Sequence, residues 1–168
     1  TNGIGKVTAM ELAQAGHRIV MANRNREKSE QLKSEINAAT GNNNIELLDL
    51  DLASLSSVRA CAEAFNSQYG SLDILLNNAG LTSHTEVITE DGYELQFAVN
   101  ALAQLQFTLE LLPSLEQASP SQVIFVTSMM HKFGKLDFST FKGWPKYSAG
   151  ASYNQSKLAI MLLARELA

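Results

Sequence analysis

Tyr153-Asn154-Gln155-Ser156-Lys157 carries the pairing with the clearest chemical use. Tyr and Lys four residues apart fall on one face of a helix, about one turn from each other. A free Tyr hydroxyl, with a pKa of about 10, is a poor acid or base at neutral pH. A cation held one turn away favours the phenolate and brings the hydroxyl into the range where it moves protons. Two neighbours on a solvated helix face share that spacing. The rest of the chain has to make the distinction.

Elements able to position such a pair can be read in order. Thr1-Asn2-Gly3-Ile4-Gly5 is a Gly-rich turn entering a helical pattern (Val7, Ala9, Leu12, Ala13) that Gly16 closes. Such glycines let backbone N–H groups approach a phosphate at a helix N-terminus, though a plain helix-entry turn reads the same way. Residues 17–22 form a buried strand ending at Asn23-Arg24, and residues 27–38 a polar amphipathic helix. Ile45 to Leu48 make a second strand, closing on Asp49-Leu50-Asp51-Leu52. Ser54 is the expected N-cap of a helix that carries Leu55, Val58, Ala62 and Phe65 on one side and stops near Gly70. Cys61 shares that face, which points to packing rather than reactivity.

A third strand, 72–76, runs into Asn77-Asn78-Ala79-Gly80. A long helix is expected from about Asp91 to Leu112, before Pro113, and a fourth strand over Val123 to Thr127 with Ser128 at its carboxyl end. Residues 129–150 read as irregular and aromatic-rich, and the helix from 152 onward carries Tyr153 and Lys157. Strands that are continuous apolar runs, alternating with helices, predict an α/β fold: a parallel sheet covered on both faces. In a doubly wound sheet ligands bind beyond the carboxyl ends of the strands. Arg24, Asp51, Asn77 to Gly80 and Ser128 occupy those ends.

Composition narrows the function. The 168 residues suit one domain, and 45% apolar with 18% charged residues is ordinary for a soluble globule. A net charge of −4 without a Lys/Arg run argues against nucleic acid. A single cysteine allows no internal disulfide and favours a reducing compartment, hence a cytoplasmic setting. No apolar run reaches the ~18 residues of a membrane span, and an anchor outside this chain stays open. His17, His84 and His131 lack metal-ligand spacing, so no metal site is expected.

Taken together, Gly3-Ile4-Gly5, Asp51-Leu52, Asn77-Asn78-Ala79-Gly80, Asn100, Ser128 and Tyr153-x-x-x-Lys157 resemble the short-chain dehydrogenase/reductase family over the whole chain. Leu50 to Ser54, Ser57-Val58-Arg59, His131 to Gly134 and Ser156 to Ala159 are similar to its retinol-dehydrogenase-like branch, which includes the dehydrogenase part of the WW-domain oxidoreductase and plant Tic32-type proteins.

The resemblance implies a Rossmann-type, three-layer domain over residues 1–168 that binds NADP(H). Asn2, Gly3 and Ile4 would belong to a phosphate loop whose first Gly and preceding strand this sequence lacks. Asp51 and Leu52 would flank the adenine, and Asn78, Ala79 and Gly80 would line the cofactor. Ser128 would hydrogen-bond the substrate oxygen and Tyr153 exchange its proton. Lys157 would hold the nicotinamide ribose and assist Tyr153, and Asn100 would anchor a proton-relaying water or, equally, mend a helix distortion. The resemblance also implies a homodimer through helices 91–112 and 152–168.

At the tip of the second strand of such a fold an acid reads the ribose 2′-hydroxyl; here Asn23 and Arg24 stand there, favouring NADP(H) over NAD(H). Solvated surface charge is the plainer role for Arg24 and Arg26. The stretch between Ser128 and Tyr153 holds Phe133, Phe138, Phe141, Trp144 and Tyr147, with Gly134 and Gly143 as hinges, and reads as a lid for an apolar substrate or as a tucked surface loop. Met129 and Met130 line a pocket or pack. The expected reaction interconverts an alcohol and a carbonyl on a lipophilic small molecule. The alternatives are a cofactor-binding sensor or scaffold, or an inactive fragment: strand one is expected before Thr1 and strand six after Ala168, and without them the domain is truncated at both ends.

Overall fold

A computed structural model describes residues 3–168, so the expectation for Asn2 lies outside the described residues. The chain parts between Asp51 and Leu52 into two compact units.

In the first unit, helix α1 (Gly3–Gln14) leads to strand β1 (Ile19–Asn23), helix α2 (Arg26–Thr40) and strand β2 (Ile45–Asp49). The strands pair in parallel, Ile19 opposite Ile45 through Asn23 opposite Asp49. Asn25 caps α2, its side chain accepting from the Lys28 N–H at 2.9 Å. Ala9, Ala13, Met21, Leu32, Ile36 and Ile45 form the core between helices and strands. The predicted periodicities hold here, with ends displaced by one or two residues.

The second unit begins with α3 (Leu55–Tyr69), capped by Ser54 as expected, which buries Val58, Cys61, Ala62 and Phe65. Strands β3 (Ile74–Asn77) and β4 (Gln122–Phe125) pair in parallel, Ile74 opposite Gln122. The strand expected over 72–76 starts two residues late because the Leu72 N–H turns to the carbonyl of Ser114, 2.9 Å away. The fourth strand ends early for a similar reason. Val126 still donates to Asn77 O at 2.9 Å, but the Thr127 hydroxyl donates to the carbonyl of Lys157 at 3.0 Å.

The long helix of 91–112 is replaced by a composite one. Glu94 caps a short α4 (Leu95–Phe97), a π-helical stretch covers Ala98–Leu102, and α5 (Ala103–Glu110) follows. The helix ends at Glu110, close to the expected Leu112, and Pro113 sits in the first turn of a separate helix α6 (Leu112–Gln117), where its missing N–H has no intrahelical partner to lose. Between β4 and α7 (Ala149–Glu166) the loop contains two 3₁₀ turns, Met129–Phe133 and Phe138–Thr140. Ser148 caps α7, so this helix starts three residues before the expected 152. Phe97, Ala101, Ala159 and Ile160 bury together, and the Phe141 ring stacks on Phe97 with centroids 3.8 Å apart. Among the described residues no helix is long and apolar enough to cross a membrane.

Candidate active site

In the second unit Gly80 and Asn100 lie against Lys157 and Ser156 of α7, and Ser128 follows two residues after Val126, which bonds Lys157. Lys157 is 4% exposed, and its ammonium donates to the carbonyl of Val126 at 3.1 Å. One of its three N–H donors is thereby used. The ammonium lies 5.9 Å from the centre of the Tyr153 ring, as two groups one helical turn apart should. Burial pushes the Lys157 ammonium below its ordinary value.

Gly80 packs directly against that ammonium. A Cβ there would stand 3.1 Å from Lys157 Nζ and 3.5 Å from Asn100 Oδ1. A side chain there would crowd the cation.

Tyr153 is half-buried and enters hydrogen bonds through its carbonyl, which accepts from Ser156 Oγ at 2.8 Å; among the described residues nothing takes up its hydroxyl. Tyr147 contrasts with it. Its hydroxyl donates to Ser83 O at 3.0 Å and accepts from Gln96 Nε2 at 2.8 Å, and burial together with the Glu94 charge raises its pKa. A hydroxyl so committed braces a structure. The Tyr153 hydroxyl is the free one.

Ser128 is an N-cap. Its oxygen accepts from the Met130 N–H at 3.2 Å, which fixes the oxygen and leaves the hydroxyl proton to be donated elsewhere. The carbonyl of Ser128 accepts from His131 Nδ1 at 2.6 Å.

Asn100 lies in the π-helical stretch and is fully buried. It pairs with both backbone groups of Leu81: Oδ1 accepts from the N–H at 2.8 Å, and Nδ2 donates to the carbonyl at 2.9 Å. Nδ2 also donates to Ser156 Oγ at 3.0 Å. One side chain thus ties the loop after β3 to α7, in a π-bulge of the kind that recurs at functional sites.

Sequence reading passed over the neighbours of Asn100. Gln96, Asn100, Gln104 and Thr108 are all buried and recur every four residues. Gln104 Nε2 donates to Ala79 O at 2.7 Å, and Thr108 Oγ1 accepts from Asn77 Nδ2 at 3.0 Å. The stripe holds Asn77, Ala79 and Leu81 in turn. Amides at i, i+4 and i+8 in an otherwise apolar helix were the available signal. Glu94, Ser152, Gln155 and Ser156 were missed as well.

In the first unit Gly3 and Ile4 open α1, with Ile4 69% exposed. Arg24 is exposed just beyond β1 and makes no ion pair among the described residues, whereas Arg26 pairs with Glu30 at 2.9 Å and reaches Asp49 at 3.7 Å. Asp51 and Leu52, both partly buried, follow β2. Met129 is 76% exposed and Met130 39%, so the former lines no closed pocket here. No group of three or more His, Cys, Asp and Glu comes together among the described residues.

Known proteins resemble this chain in sequence and fold. The family described as short chain dehydrogenase matches residues 1–168. Human retinol dehydrogenase 13 is 42% identical over 167 residues, 98% of this chain and 50% of that protein. Human retinol dehydrogenase 11 is 40% identical over 166 residues, 99% of this chain and 52% of that protein. This chain therefore spans about half the length of the curated relatives it matches. An uncharacterized protein from Mycobacterium paratuberculosis superposes with a TM-score of 0.84 at 35% identity, covering 99% of this chain and 57% of that one. A metagenomic short-chain oxidoreductase solved with NADP gives 0.79 at 26%, covering 99% and 71%. The α/β architecture, the free Tyr153 hydroxyl beside a buried Lys157 and these likenesses agree: the chain belongs to the short chain dehydrogenase family, in its retinol-dehydrogenase-like branch.

Proposed function

We propose that residues 1–168 are the NADP(H)-binding catalytic part of an oxidoreductase that interconverts an alcohol and a carbonyl on a lipophilic small molecule. The observation that carries this is the state of two hydroxyls: Tyr153 has an uncommitted one, and Ser128 has its oxygen capped and its proton free. Both belong to elements tied to Lys157, through Thr127 and through α7 itself. A carbonyl oxygen bonded by both hydroxyls would be oriented and polarised by Ser128 and protonated by Tyr153. Lys157, when protonated, places positive charge beside the Tyr153 ring. Asn100, by pinning Leu81 and Ser156, holds Gly80 against that cation, and so acts as a positioning residue.

Nicotinamide nucleotide suits the residues present. Lys157 retains two N–H donors beside Gly80, which suits ribose hydroxyls. Arg24, unpaired among the described residues and next to Asn23 rather than an acid, suits a 2′-phosphate. By the family resemblance, Asn2, Gly3, Ile4 and Asp51 in the first unit, and Leu52, Asn78 and Ala79 in the second, are each further candidates for nucleotide contact. When bound, the nicotinamide supplies or receives the hydride. Solved relatives with NADP support the use of a nicotinamide nucleotide. Retinol is the substrate that the relatives' names suggest. The exposed Phe133 and Phe138, at 73% and 76%, give the 129–148 loop an apolar outer surface suited to such a molecule. Leu109, Leu112 and Leu162 are exposed on the helices of the proposed homodimer.

In the full-length protein that carries this chain, Arg24→Ala should weaken NADPH about tenfold or more, the usual worth of one charge-assisted hydrogen bond, and leave NADH nearly unchanged. Fluorescence titration of both nucleotides measures this. Tighter NADH than NADPH binding in the unmutated protein would sink the assignment.

A second expectation concerns pH. Lys157 is charged below its pKa and neutral above it, and burial has moved that pKa down. NADPH affinity should therefore begin to fall on the alkaline side at lower pH than an exposed lysine would dictate. Dissociation constants taken across the alkaline range test it. A limb at the ordinary lysine value would show that the cation is not the group in use.

A further inference from the structure

We infer that Gly134 and Gln155 are positioning residues that dock the segment 128–140 onto α7 and thereby fix Ser128 against Tyr153. This rests on the functional reading above. Gly134 has φ −74° and ψ 147°, a conformation open to any residue, so its backbone does not demand glycine. Space does. A Cβ at Gly134 would stand 2.5 Å from the carbonyl oxygen of Asn154 and 2.9 Å from Leu158 Cβ. The nearer atom belongs to the backbone of α7, one residue after Tyr153, and cannot swing aside. The packing makes Gly134 an anchor where flexibility as a hinge was expected.

Gly134 also closes the 3₁₀ turn Met129–Phe133, its N–H donating to His131 O at 3.0 Å. Ser128 caps the other end of that turn through Met130. A short turn thus links the docked glycine to the Ser128 hydroxyl. Any displacement at one end is carried to the other.

Gln155 is the second fastening. It is 2% exposed and follows Tyr153 by two residues on α7. Its Oε1 accepts from the Asp137 N–H at 2.8 Å, and its Nε2 donates to Thr140 Oγ1 at 2.8 Å. Thr140 Oγ1 in turn donates to Asp137 O at 2.8 Å, so both polar ends of Gln155 are satisfied by one turn of the loop. The loop therefore meets α7 at Asn154, Gln155 and Leu158, within about one turn after Tyr153.

The test uses the full-length protein with NADPH and either decanal or retinal. Gly134→Ala and Gln155→Ala are each expected to lower kcat about tenfold, since misplacing a reacting group by a fraction of an ångström is costly, while the NADPH Kd moves less than about threefold. In a Ser128→Ala background neither should cause a further loss, because both act through Ser128. Full kcat in both variants, or losses that multiply with Ser128→Ala, would overturn the inference. If Gly134→Ala does not fold, Gln155→Ala, which removes bonds without a clash, decides alone. A Tyr153→Phe protein with undiminished rate would instead refute the functional reading. Rate lost in Tyr153→Phe but kept in both positioning variants refutes this inference only.

Discussion

Tyr153→Phe is expected to abolish most turnover while leaving the fold and nucleotide binding in place. The change deletes one oxygen, and among the described residues that oxygen bonds nothing, so no buried partner is orphaned. The ring keeps its place over α7, 5.9 Å from Lys157 Nζ. What disappears is the proton carrier, and kcat should fall at least ~10²-fold, the usual contribution of general acid–base catalysis. The thermal midpoint and the NADPH Kd should be those of the unmutated protein. Tyr147→Phe makes the informative comparison. That hydroxyl is bonded on two sides, so its loss should lower stability and move kcat far less. Near-full kcat in Tyr153→Phe would remove the mechanism proposed here.

How far these roles could be read from the sequence depended on the distance over which each residue acts. Tyr153 and Lys157 are joined by the helix period, and the strands by local apolar runs, so both were visible without a structure. Ser128 was visible as the polar residue closing such a run. A helix distortion at Asn100 was among the readings, but its partners were not visible, because Asn100 is held by Leu81 and Ser156, 19 and 56 residues away. Nor was the late start of β3, which depends on the Ser114 carbonyl. Gly134 shows a different failure. A glycine in a loop reads as freedom, and only the approach of Asn154 O reveals that it answers a shortage of space. Pro113 was half legible: the helix before it does end at Glu110, close to the expected Leu112, but proline begins a helix as readily as it ends one, and α6 starts at Leu112.

Glu94→Ala is expected to cost about 3 kcal/mol of stability, as the sum of a lost helix cap and of buried donors left without an acceptor. Glu94 is fully buried. Its Oε1 accepts from the Gln96 N–H at 3.0 Å, and its Oε2 from the Phe97 N–H at 2.9 Å and from Ser152 Oγ at 2.7 Å. The Tyr147 hydroxyl approaches Oε1 at 3.4 Å. No salt bridge to Glu94 occurs among the described residues; the carboxylate is held by hydrogen-bond donors and by the N-terminus of α4. Alanine would leave two amides and the Ser152 hydroxyl facing an empty space. Glu94→Gln should fall between the two, because its amide nitrogen must face one of those donors. The effect should reach catalysis as well, since Ser152 adjoins Tyr153 at the start of α7. Urea unfolding of the full-length protein, with kcat measured on the same samples, tests both parts. A double-mutant cycle with Ser152→Ala should show coupling, because both residues end at one hydrogen bond. An unchanged urea midpoint for Glu94→Ala would mean that water replaces the carboxylate, and that α7 does not depend on Glu94 for its position.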